Sequence, residues 1–589
     1  MTRSVSDETS SRQLDAQTET STPVRLPAQH LAELVSQTCA RYTRQHAFTA
    51  VLPNGMFGNL SFTQVAELSD QVAVYLREGL GLAAGDRIAV QLPNSLSYPL
   101  WAFGTLKAGC VLVNMNPLYT APEMVHQLND SGARVLVIVD LFADKLPAVL
   151  AQSKVEHVVL VRITDLFPAL IGFIAYNVMK YWNRIIPPCS VAVTSGIEAL
   201  ARGATLMRER NVDPATYTAG LGPSTLAALQ YTGGTTGVSK GAMLSHGNLL
   251  ANVAQIEDRV AGSVQHGKET ALAVLPLYHI FAFTANLLYF FHAGARNILV
   301  ASPRPLSNLQ RAFENYPISW VPGVNTLFNG LLNEEWFRDY PPPQLKGSIA
   351  GGTALHTAVA ERWQEVTGTP VVEGYGLTES SPVVTLNPSA GYRTGSIGQP
   401  VIGTQVRLLD PLGDPVGSGE AGELAVQGPQ VMLGYWQQPT ETAKVLRDGW
   451  LLTGDIAVWD SDNFLRVVDR KKDLILVSGF NVYPNEVEDC IAKLPGVSEV
   501  AVVGIPDSRA GEQVKAYLVL KPGVSLSAEQ VREHCRQSLT TYKIPRQVEF
   551  RSELPKTNVG KVLWRALRDA EKQRIHEESA VAVEGGSRG

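Results

Sequence analysis

The sequence predicts an α/β protein: a large N-terminal domain of doubly wound sheets carrying a small β-rich subdomain, followed by a small α+β C-terminal domain. Three observations lead there. Short, continuous apolar runs of the kind that form strands buried on both faces alternate with helix-like segments through the first two-thirds of the chain. Near Gly395 the pattern changes to short strands broken by Gly and Pro. After the charged run Asp469-Arg470-Lys471-Lys472-Asp473 a compact αβ unit begins.

Residues 1–27, rich in Ser, Thr, Asp, Glu and Gln and without the apolar stretch of a secretory signal, read as a disordered lead-in. The folded part opens with a helix presenting Leu31, Leu34, Val35 and Cys39 on one face. Strand candidates follow at Arg87 to Leu92, Arg134 to Val139 and His157 to Val161, with a helix pattern at Thr63 to Leu76. The segment 395–469, including RLLDPLGDPVGSGEAGELAVQG, reads as the β-rich part of a domain spanning 28–470. In the unit 471–569 a first helix follows Pro484, with Val487, Cys490, Ile491 and Leu494 at helical spacing and Pro495-Gly496 as its stop. A second starts at Ser527 with Gln530 three residues on, a capping box; Val500 to Ile505 and Val514 to Leu520 are its strands. Residues 570–589 read as a polar tail.

A chain of 589 residues exceeds one compact core and implies at least two domains. Its 50 basic against 55 acidic residues leave no basic excess for nucleic acid, so a phosphate-bearing partner must be caught locally. The five cysteines (Cys39, Cys110, Cys189, Cys490, Cys535) have neither metal-ligand nor disulfide-framework spacing, which suits a reducing, cytoplasmic setting. One stretch stands apart: 166–188, LFPALIGFIAYNVMKYWNRIIPP, is apolar and aromatic but too short and interrupted to span a bilayer. It fits an amphipathic contact at the inner face of a membrane. It fits equally a helix packed on its own domain or in a homodimer contact.

The strongest local signal is YTGGTTGVSKGA, Tyr231 to Ala242, whose clustered glycines and threonines let backbone N–H groups and hydroxyls approach phosphate oxygens while Lys240 adds charge. It is not the Walker pattern, because Val238 and Ser239 intervene before Lys240 and no Ser or Thr follows it. No glycine-rich dinucleotide fingerprint opens an early βαβ unit, which disfavours hydride transfer. Downstream come GGTAL (Gly351 to Leu355), EGYGLTES (Glu373 to Ser380), LLTGD (Leu451 to Asp455), DRKKDLILVSGFNVYPNEVE (Asp469 to Glu488) and PKTNVGK (Pro555 to Lys561). In order and spacing these segments resemble the adenylate-forming superfamily. With LPLYHIFAF, PGVNTLFNGLL and QVMLGYW, the folded chain resembles its bacterial long-chain fatty acyl-CoA synthetases.

The resemblance implies a residue-by-residue site for ATP, Mg²⁺, coenzyme A and a fatty acid. Thr232, Gly233, Thr235, Thr236 and Lys240, with Tyr231, Gly234 and Gly237 in the same loop, would hold the β and γ phosphates. Tyr375 would lie on the adenine ring, with Gly351, Gly352, Glu373 and Gly374 lining that slot. Thr378 would donate to the α phosphate and Glu379 would bind Mg²⁺. Asp455 and Arg470 would hold the ribose, and Lys561 would reach from a mobile C-terminal domain to the reacting oxygens. Lys472 would be the hinge; Ser478, Gly479 and Phe480 would meet coenzyme A after rotation, with Asn481 beside them. His279 and Phe283 would sit at the carboxylate end of the acyl pocket, with Asn325 and Phe328 beyond.

That family chemistry suits the substrate. A carboxylate is a poor electrophile, so it attacks the α phosphorus of ATP first, and the mixed anhydride then accepts a thiol. Positioning and charge stabilisation dominate such a step. Two rivals remain: an adenylating module serving another acid or a carrier protein, and a noncatalytic nucleotide or fatty-acid binding protein.

Overall fold

The computed structural model describes residues 22–574 except 233–238, 390, 479, 508, 558–559 and 572. Two large sheets carry the N-terminal part. The first has seven strands in the order Thr194–Ser195, His157–Val161, Val135–Val139, Arg87–Gln91, Val111–Asn114, Leu226–Thr232, Lys240–Ser245. All pairs are parallel except the last, which closes as an antiparallel hairpin. Val135–Val139, the run VLVIV, is buried along its whole length, as expected of a central parallel strand covered on both faces.

The second sheet has nine strands, parallel from His46–Val51 through Arg296–Val300, Thr270–Ala273, Trp320–Gly323 and Gly347–Ala350 to Val371–Gly376. Antiparallel strands Phe57–Ser61, Val383–Leu386 and Gln399–Pro400 extend its edges. The helix Ser97–Lys107 is buried at every residue within the core shared by the two sheets. Its one cation is satisfied there, Lys107 Nζ reaching Asp70 Oδ1 at 2.7 Å and the Ala66 carbonyl at 3.2 Å.

The β-rich part is a five-stranded antiparallel sheet from Gln405–Leu409 to Leu465–Arg470 with its own apolar cluster. The segment that opens at Gly395 first completes the nine-stranded sheet with Gln399–Pro400, so the change of sheet comes later than the change in composition. The C-terminal unit is a second five-stranded sheet, in which Val497–Asp507 pairs antiparallel with Gly511–Leu520. Helices Pro484–Ala492 and Ala528–Arg536 cover it, the latter with the expected Ser527–Gln530 capping box. The opening helix Leu31–Tyr42 buries Leu31, Leu34, Val35 and Cys39. Over 62–79 the helix Phe62–Val74 loosens into a π turn, Tyr75–Gly79.

The stretch 166–188 forms the helix Ala169–Asn177, continued by a π turn Val178–Trp182. Within these two elements only Ala175 is buried. Leu170, Phe173, Tyr181 and Trp182 are 68–86% exposed. Packing on its own domain therefore does not account for this apolar surface. No helix among the described residues is long and apolar enough to cross a membrane.

Candidate active site

The C-terminal ends of the parallel strands in the nine-stranded sheet converge on one cavity, the usual place for a ligand in an open α/β sheet. Its volume is about 740 Å³, including the solvent at its mouth. Gly347–Ala350 runs into Gly351-Gly352, Val371–Gly376 into Thr378, and the turn before Ile280 supplies His279; all reach the lining. Across from them stands Lys561, among the described residues the only lining residue from the C-terminal unit. Ile256, Phe281, Ala285, Tyr289, Phe290 and Val383 make much of the remaining wall apolar.

Lys561 lies over Gly352: a β-carbon there would come 3.1 Å from Lys561 Cε, and the backbone at 352 has φ +79°, which favours glycine. Burial pushes the Lys561 ammonium down to about 8, with the Arg470 guanidinium adding to the effect and Asp455 opposing it. His279 is held down to about 3, chiefly by burial and then by Lys561. It is therefore neutral. The Phe281 N–H donates to its Nδ1 at 3.4 Å, which leaves Nε2–H as a donor. The cavity thus presents one cation and one neutral donor where a carboxylate could lie.

Beside them Asp455, on the long strand Trp450–Trp459, organises a polar group. Tyr375 OH donates to its Oδ2 at 2.5 Å, and Arg470, its partner across the ladder, places Nε 3.1 Å from Oδ1. Glu373 is buried, accepts the Gly395 N–H at 2.7 Å, and is pushed up to about 8 by burial, so it is mostly neutral near pH 7.

Glu379 follows Thr378 in a short 3₁₀ turn. Its Oε1 accepts Tyr435 OH at 2.7 Å, and its carbonyl accepts Met432 N–H at 2.8 Å. Lys240 lies 5.1 Å from the centre of the Tyr435 ring and pairs with Glu441. QVMLGYW therefore ties Glu379 to the lysine of the glycine-rich segment, a link the motif alone did not reveal. Among the described residues no group of three His, Cys, Asp or Glu side chains could hold a metal. A single carboxylate suits Mg²⁺ that takes its other oxygens from phosphate and water.

Of the sequence candidates, His279, Gly351, Gly352, Gly374, Tyr375, Thr378 and Lys561 line this cavity, and Glu373, Asp455, Arg470 and Glu379 are in the polar framework around it. Thr232 pairs with Lys240 at the mouth of the hairpin whose loop, Gly233, Gly234, Thr235, Thr236 and Gly237, lies outside the described residues. Tyr231 points elsewhere: its hydroxyl donates to Asp130 at 2.5 Å in the first sheet's core.

Beyond His279, the residues expected at the acyl pocket lie away from this cavity. Phe283 is fully buried in the core, and Phe328 stacks edge-on against Trp363 at 4.9 Å. Asn325 lines a separate cleft between the two domains. None of the three reaches the cavity, because the aromatic side chains are taken up by packing and the asparagine faces the C-terminal unit. The apolar wall of this cavity is made instead by Ile256, Phe281, Ala285, Tyr289 and Phe290. Ser478 and Phe480 are exposed, Phe480 stacking on Tyr542 at 4.9 Å, and do not line the cavity; Gly479 lies outside the described residues. Lys472, just beyond Arg470, lies between the two units, where its carbonyl accepts Arg568.

Comparison with known proteins bears on both units. Residues 35–436 match the family model described as AMP-binding enzyme, and 486–561 match the AMP-binding enzyme C-terminal domain. The long-chain-fatty-acid–CoA ligase of Escherichia coli O157:H7 is 47% identical over 94% of this chain and 96% of its own. The Bacillus subtilis (strain 168) protein of that name is 36% identical over 94% and 96%. Among solved structures, the anthranilate CoA ligase AuaEII in complex with anthranoyl-AMP superposes with a TM-score of 0.81 at 25% identity, covering 94% of this chain and 99% of its own. Matched in order over both of its units, the chain belongs to the AMP-binding enzymes.

Proposed function

We propose that the protein joins a long-chain fatty acid to coenzyme A through an acyl-adenylate, releasing AMP and pyrophosphate. The observation that carries this reading is Lys561 reaching from the C-terminal unit into an apolar-walled cavity beside neutral His279. Lys561 and the Nε2–H of His279 orient the fatty carboxylate, and Lys561 balances charge as the α phosphorus is attacked. Tyr375 offers its face to adenine, Asp455 and Arg470 hold the ribose, and Thr378 donates to the α phosphate. Lys240, Thr232 and the glycine-rich loop take the departing pyrophosphate. Glu379 would hold Mg²⁺, which supplies charge neutralisation across the phosphates. The domain following Lys472 then turns, withdrawing Lys561 and bringing 478–480 to the thiol of coenzyme A. A noncatalytic binding protein would not need Lys561 at that position.

The same reading extends to the membrane, where such acids partition. The exposed apolar face of 169–182 lies beside Lys180 and Arg184, and 166–188 contains no acidic residue, a charge pattern suited to anionic lipid. Co-sedimentation with vesicles containing anionic lipid, lost in a Phe173→Ser/Trp182→Ser variant, is the expected result. A dimer broken by the same substitutions would instead assign the face to a second copy.

The test of the reaction is pyrophosphate release with ATP, Mg²⁺ and carboxylic acids from acetate to oleate, with and without coenzyme A. Release confined to the longer acids, with acyl-CoA formed only when coenzyme A is present, is expected. No release with any acid would refute the reading.

A further inference from the structure

Lys561 can work only while the C-terminal unit is docked, and one short helix together with the neighbouring His356 supplies polar contacts to that unit. The helix Asn325–Leu331 turns its polar residues toward the C-terminal unit. Thr326 Oγ1 donates to the Gly560 carbonyl at 3.1 Å, one residue before Lys561. One turn on, Asn329 Nδ2 donates to the Ser498 carbonyl at 2.9 Å. Asn325 Oδ1 accepts the backbone N–H of His356 at 3.1 Å, fixing the residue whose Nδ1 lies 2.9 Å from Asp489 Oδ1 across the boundary. These contacts lie around an open cleft of about 940 Å³, including the space at its mouth, whose N-terminal wall carries Asn325, Asn329 and Arg362 and whose C-terminal wall mixes Val497, Val500 and Val562 with Lys521. Point contacts around an open cleft can separate more readily than a continuous packed seam, as an interface that must open repeatedly requires.

We infer that Thr326, Asn329 and the His356–Asp489 pair are positioning residues that hold the docked arrangement and so support adenylation without serving thioester formation. The assignment rests on the two-step reaction above. Thr326 has the most direct effect. Gly560 has φ +80°, and a β-carbon there would lie 2.8 Å from Thr326 Oγ1, so hydroxyl and glycine fit one another immediately before the lysine. Losing that hydrogen bond lets the Lys561 turn drift, whereas thiolysis of a preformed adenylate takes place after Lys561 has withdrawn.

The test measures the half-reactions separately on full-length protein: pyrophosphate release from oleate and ATP without coenzyme A, and acyl-CoA formation from supplied oleoyl-AMP. Thr326→Val should slow the first about fivefold and leave the second unchanged, and Thr326→Ser should restore it. His356→Ala and Asp489→Ala should each slow the first roughly threefold, and the double variant no further, since either substitution removes the whole contact. Equal slowing of both half-reactions, or none of either, in variants that melt like the unsubstituted enzyme would overturn the assignment. Failure of the unsubstituted enzyme to release pyrophosphate would instead overturn the acyl-adenylate reading, and this assignment with it.

Discussion

Raising the pH should switch off adenylation through Lys561. Its folded-state value of about 8 arises because the ammonium is buried, with Arg470 as a like charge nearby and Asp455 as the opposing one. The active form is the cation, so activity is present below that value and lost as pH rises through it. In the free enzyme the ammonium fraction falls from about nine-tenths at pH 7 to about one-tenth at pH 9, a roughly tenfold drop. ATP phosphates and the fatty carboxylate favour the cation, so kcat/KM should fall near pH 8 while kcat falls at higher pH. The assay is initial pyrophosphate release without coenzyme A, because thiol ionisation would otherwise raise the rate over the same range. A flat kcat/KM profile from pH 7 to 9.5 would refute the reasoning. So would a limb that persists in the residual activity of Lys561→Ala.

Other perturbations separate the parts of the site. Gly352→Ala places a methyl against Lys561 at a left-handed backbone position, at a cost of about 1–2 kcal/mol from the backbone alone, and should lower pyrophosphate release at least tenfold. Asp455→Asn removes the charge that holds both Tyr375 and Arg470, and should raise the KM for ATP roughly tenfold in steady-state kinetics. Ala285→Phe fills the apolar wall; excluding about three methylenes costs ~2 kcal/mol, so kcat/KM should fall for the longest acids and hold for short ones. Phe328→Ala should destabilise the fold by about 3–5 kcal/mol in denaturant titration and leave the chain-length profile unchanged, because Phe328 packs on Trp363 rather than on substrate.

The polar framework could be located from the sequence because each residue there sits inside a segment that resembles a motif of the adenylate-forming family: Thr378-Glu379, Asp455, Arg470 and Lys561 meet around one cavity from four separate segments. The apolar wall could not. Phe283–Phe290 is buried at all eight positions, so hydrophobicity carries no information about which side faces the cavity and which faces the core. Phe283 and Phe328 were therefore placed by the resemblance alone, and nothing in the run itself singled out Phe281, Ala285 and Tyr289, which line the cavity. Asn325, placed by the same resemblance, sits in a different setting. With Thr326 and Asn329 it forms a polar stripe on a short helix, a pattern pointing to a docking surface. Parallel strands such as Val135–Val139 were recognisable from continuous apolar runs, but their order in the sheets depends on which helices fill the space between, which no single segment encodes.

The proposed reaction forms an acyl-adenylate first and then passes the acyl group to a thiol. It is tested most directly by mixing stoichiometric enzyme with oleate, ATP and Mg²⁺ without coenzyme A, identifying the bound product by mass spectrometry, and then adding coenzyme A. Oleoyl-AMP should form at up to one equivalent per chain and be converted to oleoyl-CoA, with release of AMP, on addition of the thiol. Formation of ADP and phosphate, or oleoyl-CoA with no adenylate preceding it, would contradict it.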